Sequence, residues 1–290
     1  MLERTPLFAE SWNVALREKP CGTLLDDKKT PFRILKNSLR YWAADPFLFE
    51  HEGETYIFAE LYDYIRCKGG LGYCKWNNGA PTEWKQVITE PYHLSYPCIF
   101  QKGTDIFIMP ESGADKSLYC YKAVHFPDQW EKAQVLRKNV VYGDTTPFCV
   151  ESHRYALTYD VSNTQHYALK LLNLEDAFSK DVDVSSEDWN QQRPAGNFFY
   201  YGTQLVRPAQ VCVRDYGEGL NFFACSVTDG QYQEQKIQQI MPDELTFTSA
   251  CILDGMHTYN GTEKYEVIDI KTRRLNFLNL FFRFVSKIRR

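Results

Sequence analysis

Asp45-Pro46-Phe47-Leu48-Phe49 is a phrase that the chain repeats. It returns as Tyr96-Pro97-Cys98-Ile99-Phe100, as Thr146-Pro147-Phe148-Cys149-Val150 and as Arg207-Pro208-Ala209-Gln210-Val211. Pro46, Pro97 and Pro147 are 51 and 50 residues apart, and Pro208 follows 61 later. Met256-His257-Thr258-Tyr259 falls where a fifth copy is due, without its proline. A period near 50 residues marks radial or solenoid architectures. The second halves repeat as well: Gly53 to Glu60 matches Gly103 to Glu111, each ending in a glutamate 14 residues after its proline, and Tyr155 to Asp160 ends in an acid 13 residues on. The runs are short, rich in Tyr, Phe, Ile, Val and Cys, and separated by Gly, Asn and Asp, which is the pattern of antiparallel meanders. Proline cannot donate to a ladder and so belongs at the start of a strand, where each unit has it. One such sheet cannot bury both faces, whereas five set radially can, with only short edges left over. The expected fold is therefore all-β, a five-bladed β-propeller over residues 1–270, with Ser11–Arg17 as the extra strand that completes the last blade.

The 290 residues carry a net charge of −4, but residues 271–290 hold seven Lys or Arg and no acid, which leaves −11 on the first 270. In that tail Phe277, Leu278, Phe281, Val285 and Ile288 share one helical stripe, with Arg283 and Lys287 among the basic residues. The apolar run of 11 residues is too short for a bilayer span, which needs about 20. The expectation is a basic amphipathic helix over 271–290 that lies on an anionic membrane surface, or else docks on the propeller. An acidic body excludes nucleic acid as the partner. The N-terminal residues lack the apolar segment of a secretory signal, and nine cysteines without a CxxC pair fit a reducing cytoplasm. The expected location is cytoplasmic, peripheral on the inner face of the membrane.

In a propeller the first strand of each blade lines the central channel, so residues at its start converge on one mouth. That places Asp45, the His93-Leu94-Ser95-Tyr96 turn, Asp144 with Thr145, Arg207 with Gln210, and His257 around one pocket, with Glu60, Glu111 and Asp160 one layer out. Several carboxylates with Tyr, Trp and His suit sugar chemistry through oxocarbenium-like transition states. One carboxylate can act as base while burial and like-charge neighbours keep another protonated. Asp45, Glu111 and Asp144 are the candidate catalytic acids, and Arg207 could clamp a phosphate or carboxylate. No phosphate-loop, dinucleotide, serine-hydrolase or zinc-protease motif is present, and no cofactor is required. The three catalytic carboxylates could also hold a divalent metal through oxygen ligands.

Trp42-Ala43-Ala44-Asp45-Pro46-Phe47-Leu48-Phe49, His93-Leu94-Ser95-Tyr96-Pro97, Met109-Pro110-Glu111-Ser112, Phe126-Pro127-Asp128-Gln129-Trp130, Asp144-Thr145-Thr146, Arg207-Pro208-Ala209-Gln210 and Gly255-Met256-His257-Thr258 together resemble the propeller domain of plant glucosamine inositolphosphorylceramide transferases and its bacterial relatives. That domain is similar to the family-43 glycoside hydrolases, five-bladed propellers acting largely on arabinofuranosides and xylosides. The resemblance implies an aspartate base at Asp45. It also implies a glutamate acid on a later blade, and no glutamate opens the third or fourth blade here. Bacterial relatives occur in surface-polysaccharide biosynthesis. The expected function is thus a glycosyltransferase moving a sugar, in furanose form by analogy, from a nucleotide-sugar donor to a lipid-linked or oligosaccharide acceptor. A glycosidase acting on furanosides or xylosides, and a non-catalytic glycan-binding propeller, are the alternatives.

Overall fold

A hairpin that spans the whole chain closes the ring. In the computed structural model, which describes residues 8–19, 22–163, 167–176, 179–249 and 253–275, strand β1 (Phe8–Glu18) runs antiparallel to the last strand, in register from Phe8 opposite Leu275 to Glu18 opposite Tyr265. The short β2 (Arg33–Ile34) flanks β1 on its outer side. The expected extra strand at Ser11–Arg17 is therefore present, and it makes the last blade depend on the N-terminus.

The first blade holds β3 (Tyr41–His51), β4 (Glu54–Asp63), β5 (Lys68–Asn77), β6 (Ala80–Pro81) and β7 (Lys85–Ile88). The second holds β8 (Ser95–Lys102), β9 (Asp105–Glu111), β10 (Ser117–His125) and β11 (Gln129–Lys138). The third is β12 (Tyr142–Val150), β13 (His153–Asp160), β14 (Ala168–Asn173) and β15 (Val182–Asp183). The fourth is β16 (Phe199–Tyr201), β17 (Gln204–Val211), β18 (Gly219–Thr228) and β19 (Gln231–Ile240). The fifth joins β20 (Leu253–Gly255), β21 (Tyr259–Gly261) and β22 (Tyr265–Leu275) to β1 and β2. Tight turns connect them: at Glu52-Gly53, Asn78-Gly79 and Asp229-Gly230 both residues have positive φ. That is the type I′ geometry whose twist matches the flanking strands.

Burial explains why the strands read as apolar runs. Five clusters of buried side chains each straddle one seam between neighbouring blades. Phe47, Phe58 and Leu71 meet Cys98, Ile99 and Ile108, for example, and Val14, Leu16 and Val267 meet Ala43, Ile57 and Trp76. Each fully buried aliphatic or aromatic side chain contributes about 1.5–3 kcal/mol relative to exposure. Closure removes the last exposed seam, because β1 carries three of these core residues.

Strand β22 continues to Leu275, past the boundary expected at residue 270. Lys271, Arg273 and Arg274 therefore lie in a strand, held there by pairing with β1. Lys271 is buried, with Nζ 2.9 Å from Asp215 Oδ2 and 2.8 Å from the Tyr216 carbonyl, so it is not a basic residue of any membrane face. The helix expected beyond, with Phe277, Leu278, Phe281, Arg283, Val285 and Lys287, lies outside the described residues.

Candidate active site

The inner strands of the first three blades share one distortion. In β3 two residues, Asp45 and Pro46, face one residue of β4; in β8 and β12 the pairs are Tyr96-Pro97 and Asp144-Thr145. The first residue of each bulge has positive φ: 50° at Asp45, 48° at Tyr96 and 50° at Asp144. Such bulges ordinarily place glycine there. Asp tolerates the left-handed region through local hydrogen bonds, whereas a bulky Tyr in it carries strain, of the kind that clusters at functional sites. The bulges turn Asp45 and Asp144 into one shared cavity. Tyr96 points across the axis instead: its hydroxyl meets Thr146 Oγ1 at 2.7 Å and accepts the Gly196 N–H at 2.7 Å, and its ring edge packs on Phe47.

Above this tyrosine is a cavity of about 220 Å³, lined by Trp12, Trp42, Asp45, Glu60, Tyr62, His93, Ser95, Glu111, Asp144, Arg193, Tyr216 and His257 among others. At about 30 Å³ per water this is the room of roughly seven waters, or of one sugar ring. Asp45, Glu60, His93, Glu111, Asp144 and His257 thus come together as expected. Their electrostatics differ. Asp45 accepts bonds from Thr258 Oγ1 at 3.0 Å and the Tyr96 N–H at 3.1 Å, and lies 3.4 Å from His257 Nε2. Burial pushes its carboxyl up to about 6; His257 pulls the other way, while Asp144 and Asp269 add to the rise. Asp144 Oδ2 takes bonds from Arg193 Nε at 2.5 Å and Gln210 Nε2 at 2.8 Å, yet burial and Glu111 still lift it to about 7. Arg193 reaches Glu111 Oε2 with its other arm at 2.9 Å, so one guanidinium spans two carboxylates. Glu60 is also raised well above the ordinary carboxylate range, by burial and by Asp45, Glu111, Asp269 and Asp144.

Beneath Asp45, His257 stacks on Trp12 at 3.9 Å between centroids and places Nδ1 2.6 Å from Asp269 Oδ2. Burial opposes its charge, but Asp269 and Asp45 outweigh it and the imidazole is held above its ordinary pKa. Asp269 is itself saturated, accepting the N–H groups of Asp45, His257 and Thr258. Asp45, His257 and Asp269 are close enough to one another to suggest a cation site. The trio expected to hold one, Asp45, Glu111 and Asp144, does not fit, because the Arg193 guanidinium bonds both Glu111 and Asp144.

Four expectations are corrected. Arg207 is not in the pocket: it sits on β17, fully buried, with its guanidinium on Glu234 at 2.7 and 2.9 Å and on the Gln192 carbonyl. The inner segment of the fourth blade is Arg193-Pro194-Ala195, whose Pro194 pairs with Ala209. The chain writes Arg-Pro-Ala twice, 14 residues apart, and the hairpin places the first copy inside. Gln210 lies behind Asp144 and holds it, instead of facing the cavity. Thr145 turns inward to Thr158 at 2.6 Å. Asp160 points away and pairs with Lys170 at 2.8 Å, because Tyr159 is the residue opposite Gly143 as Glu60 is opposite Ala44. A one-residue offset on a strand reverses the face. Ser95 of the expected turn also lines the cavity, whereas Trp12, Trp42, Tyr62, Tyr216 and Asp269 were not anticipated. Trp42 and Tyr62 stack face to face at 4.7 Å on the cavity wall, and they left a signal as aromatics at the start of β3 and the end of β4.

Residues 36–272 match the family described as glucosamine inositolphosphorylceramide transferase 1, N-terminal. The chain is 27% identical over 243 residues to glucosamine inositolphosphorylceramide transferase 1 of Arabidopsis thaliana, and 25% identical over 239 residues to that of Oryza sativa subsp. indica. Each alignment covers 79% of this chain but only 30% and 31% of the plant proteins. The chain therefore spans about a third of the length of these relatives. Among solved structures, the α-L-arabinofuranosidase of Podospora anserina superposes with a TM-score of 0.61 at 11% identity, covering 86% of this chain and 96% of its own. The catalytic domain of the Coprinopsis cinerea α-L-arabinofuranosidase gives 0.57 at 11% identity, with 79% and 90% covered.

Proposed function

The chain belongs to the glucosamine inositolphosphorylceramide transferase 1 N-terminal family, and we propose that its axial cavity breaks and remakes a glycosidic bond on a single sugar ring. One observation carries this reading: Asp45, Glu60, Glu111 and Asp144 line one ring-sized cavity, and burial there lifts Asp45, Glu60 and Asp144 to different extents out of the ordinary carboxylate range. Burial lifts Asp45 to about 6 and Asp144 to about 7, and Glu60 well above the ordinary carboxylate range. Groups whose environments separate their pKa values are the means by which one site supplies both acid and base. Asp45, held by Thr258 and the Tyr96 N–H, is the base toward the incoming hydroxyl. Glu111, Arg193 and Asp144 form a charge-balanced wall for the ring hydroxyls, and Trp42 with Tyr62 offers a stacking face.

The reaction is glycosyl transfer in the broad sense, to water or to another hydroxyl. The fold shared with arabinofuranosidases supports a furanose or xylose-like ring at fold level only. A neutral glycoside is the favoured donor. A nucleotide diphosphate would bring its charge against Asp45, Glu111 and Asp144, and the cavity's guanidinium is already committed to two of them. Nucleotide-sugar transfer is kept as the second reading because the plant relatives are named as transferases. A lipid-linked or oligosaccharide acceptor of a surface polysaccharide, met at the inner face of an anionic membrane through the C-terminal tail, belongs to that reading. Incubation with a panel of aryl glycosides and of nucleotide sugars separates them: release from glycosides supports the first, donor-dependent product only from nucleotide sugars supports the second. Turnover of neither, with tight glycan binding, leaves a glycan-binding propeller.

A further inference from the structure

We infer that Glu60 is the proton donor of the proposed glycosyl transfer, held in place by His93. The inference rests on the glycosidic-bond reading above and fills the place of the acid that no inner strand supplies. Three observations meet at this carboxyl. Glu60 lines the cavity from β4 while its side chain is only 6% exposed, and its Oε1 has no hydrogen-bond partner among the described residues. His93, half-exposed at the mouth, places Nε2 3.4 Å from that oxygen. The Gly69 N–H donates to His93 Nδ1 at 2.9 Å, so the ring's own proton must sit on Nε2, facing Glu60. The pair is built around a glycine: a Cβ at Gly69 would lie 2.4 Å from Glu60 Oε1 and 2.9 Å from His93 Cε1.

The surroundings set the protonation. Asp45 on β3, Glu111 on β9, Asp144 on β12 and Asp269 on β22 all repel a charge on Glu60, after burial itself. Burial and Lys68 on β5 hold His93 below its ordinary pKa, and a second ring proton would collide with the Gly69 N–H. Both shifts favour the uncharged forms, a carboxylic acid beside a neutral imidazole. Asp144, the other raised carboxyl, receives two N–H donors from Arg193 and Gln210, which favour its anion. Glu60 alone keeps a proton without such competition. In the step, the bond from the anomeric carbon to the leaving oxygen breaks, its electron pair goes to that oxygen, and the oxygen takes the Glu60 proton. The acceptor oxygen bonds to the anomeric carbon and yields its proton to Asp45. The His93 Nε2–H then stabilises the new Glu60 carboxylate, and water returns both groups to their starting states. His93 is thus a positioning residue, not a shuttle.

The test compares Glu60→Gln, His93→Asn and wild type on two glycosides of one sugar, a dinitrophenyl glycoside whose leaving group needs no proton and an alkyl glycoside whose leaving group does. Glu60→Gln should lose about 10²–10⁴-fold on the alkyl glycoside, keep the dinitrophenyl rate within about tenfold, and lose the alkaline limb of the kcat/KM profile. His93→Asn should retain that limb at a displaced pH. Glu60→Gln slowed equally on both substrates, or on neither, overturns the assignment while leaving the glycosidic-bond reading intact. A wild type inactive on every glycoside overturns the reading itself. An infrared difference spectrum at pH 7, wild type minus Glu60→Gln, that shows no carboxylic-acid band refutes the neutral acid without any substrate.

Discussion

Asp45→Asn separates a catalytic role from a turn-capping one, because the structure predicts opposite signs for activity and stability. The folded protein holds this carboxyl at about 6 against an ordinary 3.8. The rise means that the folded state binds more protons than the unfolded one, so its contribution is favourable at low pH and is lost as pH climbs from about 4 through about 6. Two units at about 1.4 kcal/mol each put the cost of ionised Asp45 near 3 kcal/mol at about pH 8, as an upper value. Asparagine removes that cost and tolerates the 50° φ equally well. Its oxygen can keep the Tyr96 N–H while its NH2 donates to the Thr258 hydroxyl, which must then turn to accept; replacing two bonds to a carboxylate by bonds of a neutral amide costs about 1–3 kcal/mol that does not depend on pH. The net effect at about pH 8 is near zero or slightly stabilising. Relative to wild type it is better there than at about pH 4.5 by about 2 kcal/mol. For a protein of this size that is a swing of about 3 °C in Tm difference between the two pH values. Calorimetry at both pH values and turnover per folded molecule are the assays. Activity should fall about 10²–10⁴-fold. A variant that loses the same stability at both pH values and turns over normally would refute the reasoning.

The two Arg-Pro-Ala arginines should behave differently. Arg207→Gln strands the buried Glu234 and should cost about 3–5 kcal/mol with turnover per folded molecule unchanged, measured by denaturant titration alongside activity. Arg193→Gln lets Asp144 take up a proton, so stability should change less while the pH profile of activity shifts. Gly69→Ala should mimic the loss of Glu60 on poor leaving groups and lower Tm, since its Cβ also meets the Leu94 carbonyl at 2.4 Å; an unchanged Tm and rate would show that the close packing there relaxes freely. Deletion of residues 276–290, cut after β22, should release the protein from anionic vesicles in a sedimentation assay while leaving activity on a soluble glycoside intact. At roughly 1 kcal/mol per near-surface charge, Arg283, Lys287, Arg289 and Arg290 are enough to detect; vesicle binding that survives the cut refutes the tail's role.

The proline spacing made the blades legible but misplaced their phase, and the reason is physical. Proline marks a position where a strand can do without a donor, and that condition recurs at more than one place along a ladder. In β3 and β8 it coincides with the second residue of the axial bulge; in β12 that position is Thr145, and Pro147 stands two residues later on the same strand. Asp144 was still found because an even offset keeps the face. In the fourth blade the phase slipped by a whole strand. Pro208 lies on β17 and pairs with Phe222 of β18, and the true inner segment is broken at Gly196, whose φ of 132° and lack of room for a Cβ interrupt the ladder between Pro194 and β16. A segment with one isolated bridge and a three-residue strand carries almost no alternation to read, so the longer β17 drew the assignment and Arg207 stood in for Arg193. What fixes the site is the positive-φ residue of each bulge, and its identity as Asp, Tyr and Asp hides the position from any search for glycine. Asp269 was invisible for a different reason. It acts wholly through backbone N–H groups of other segments and one imidazole, so its neighbours in sequence, Ile268 and Ile270, show only a core strand.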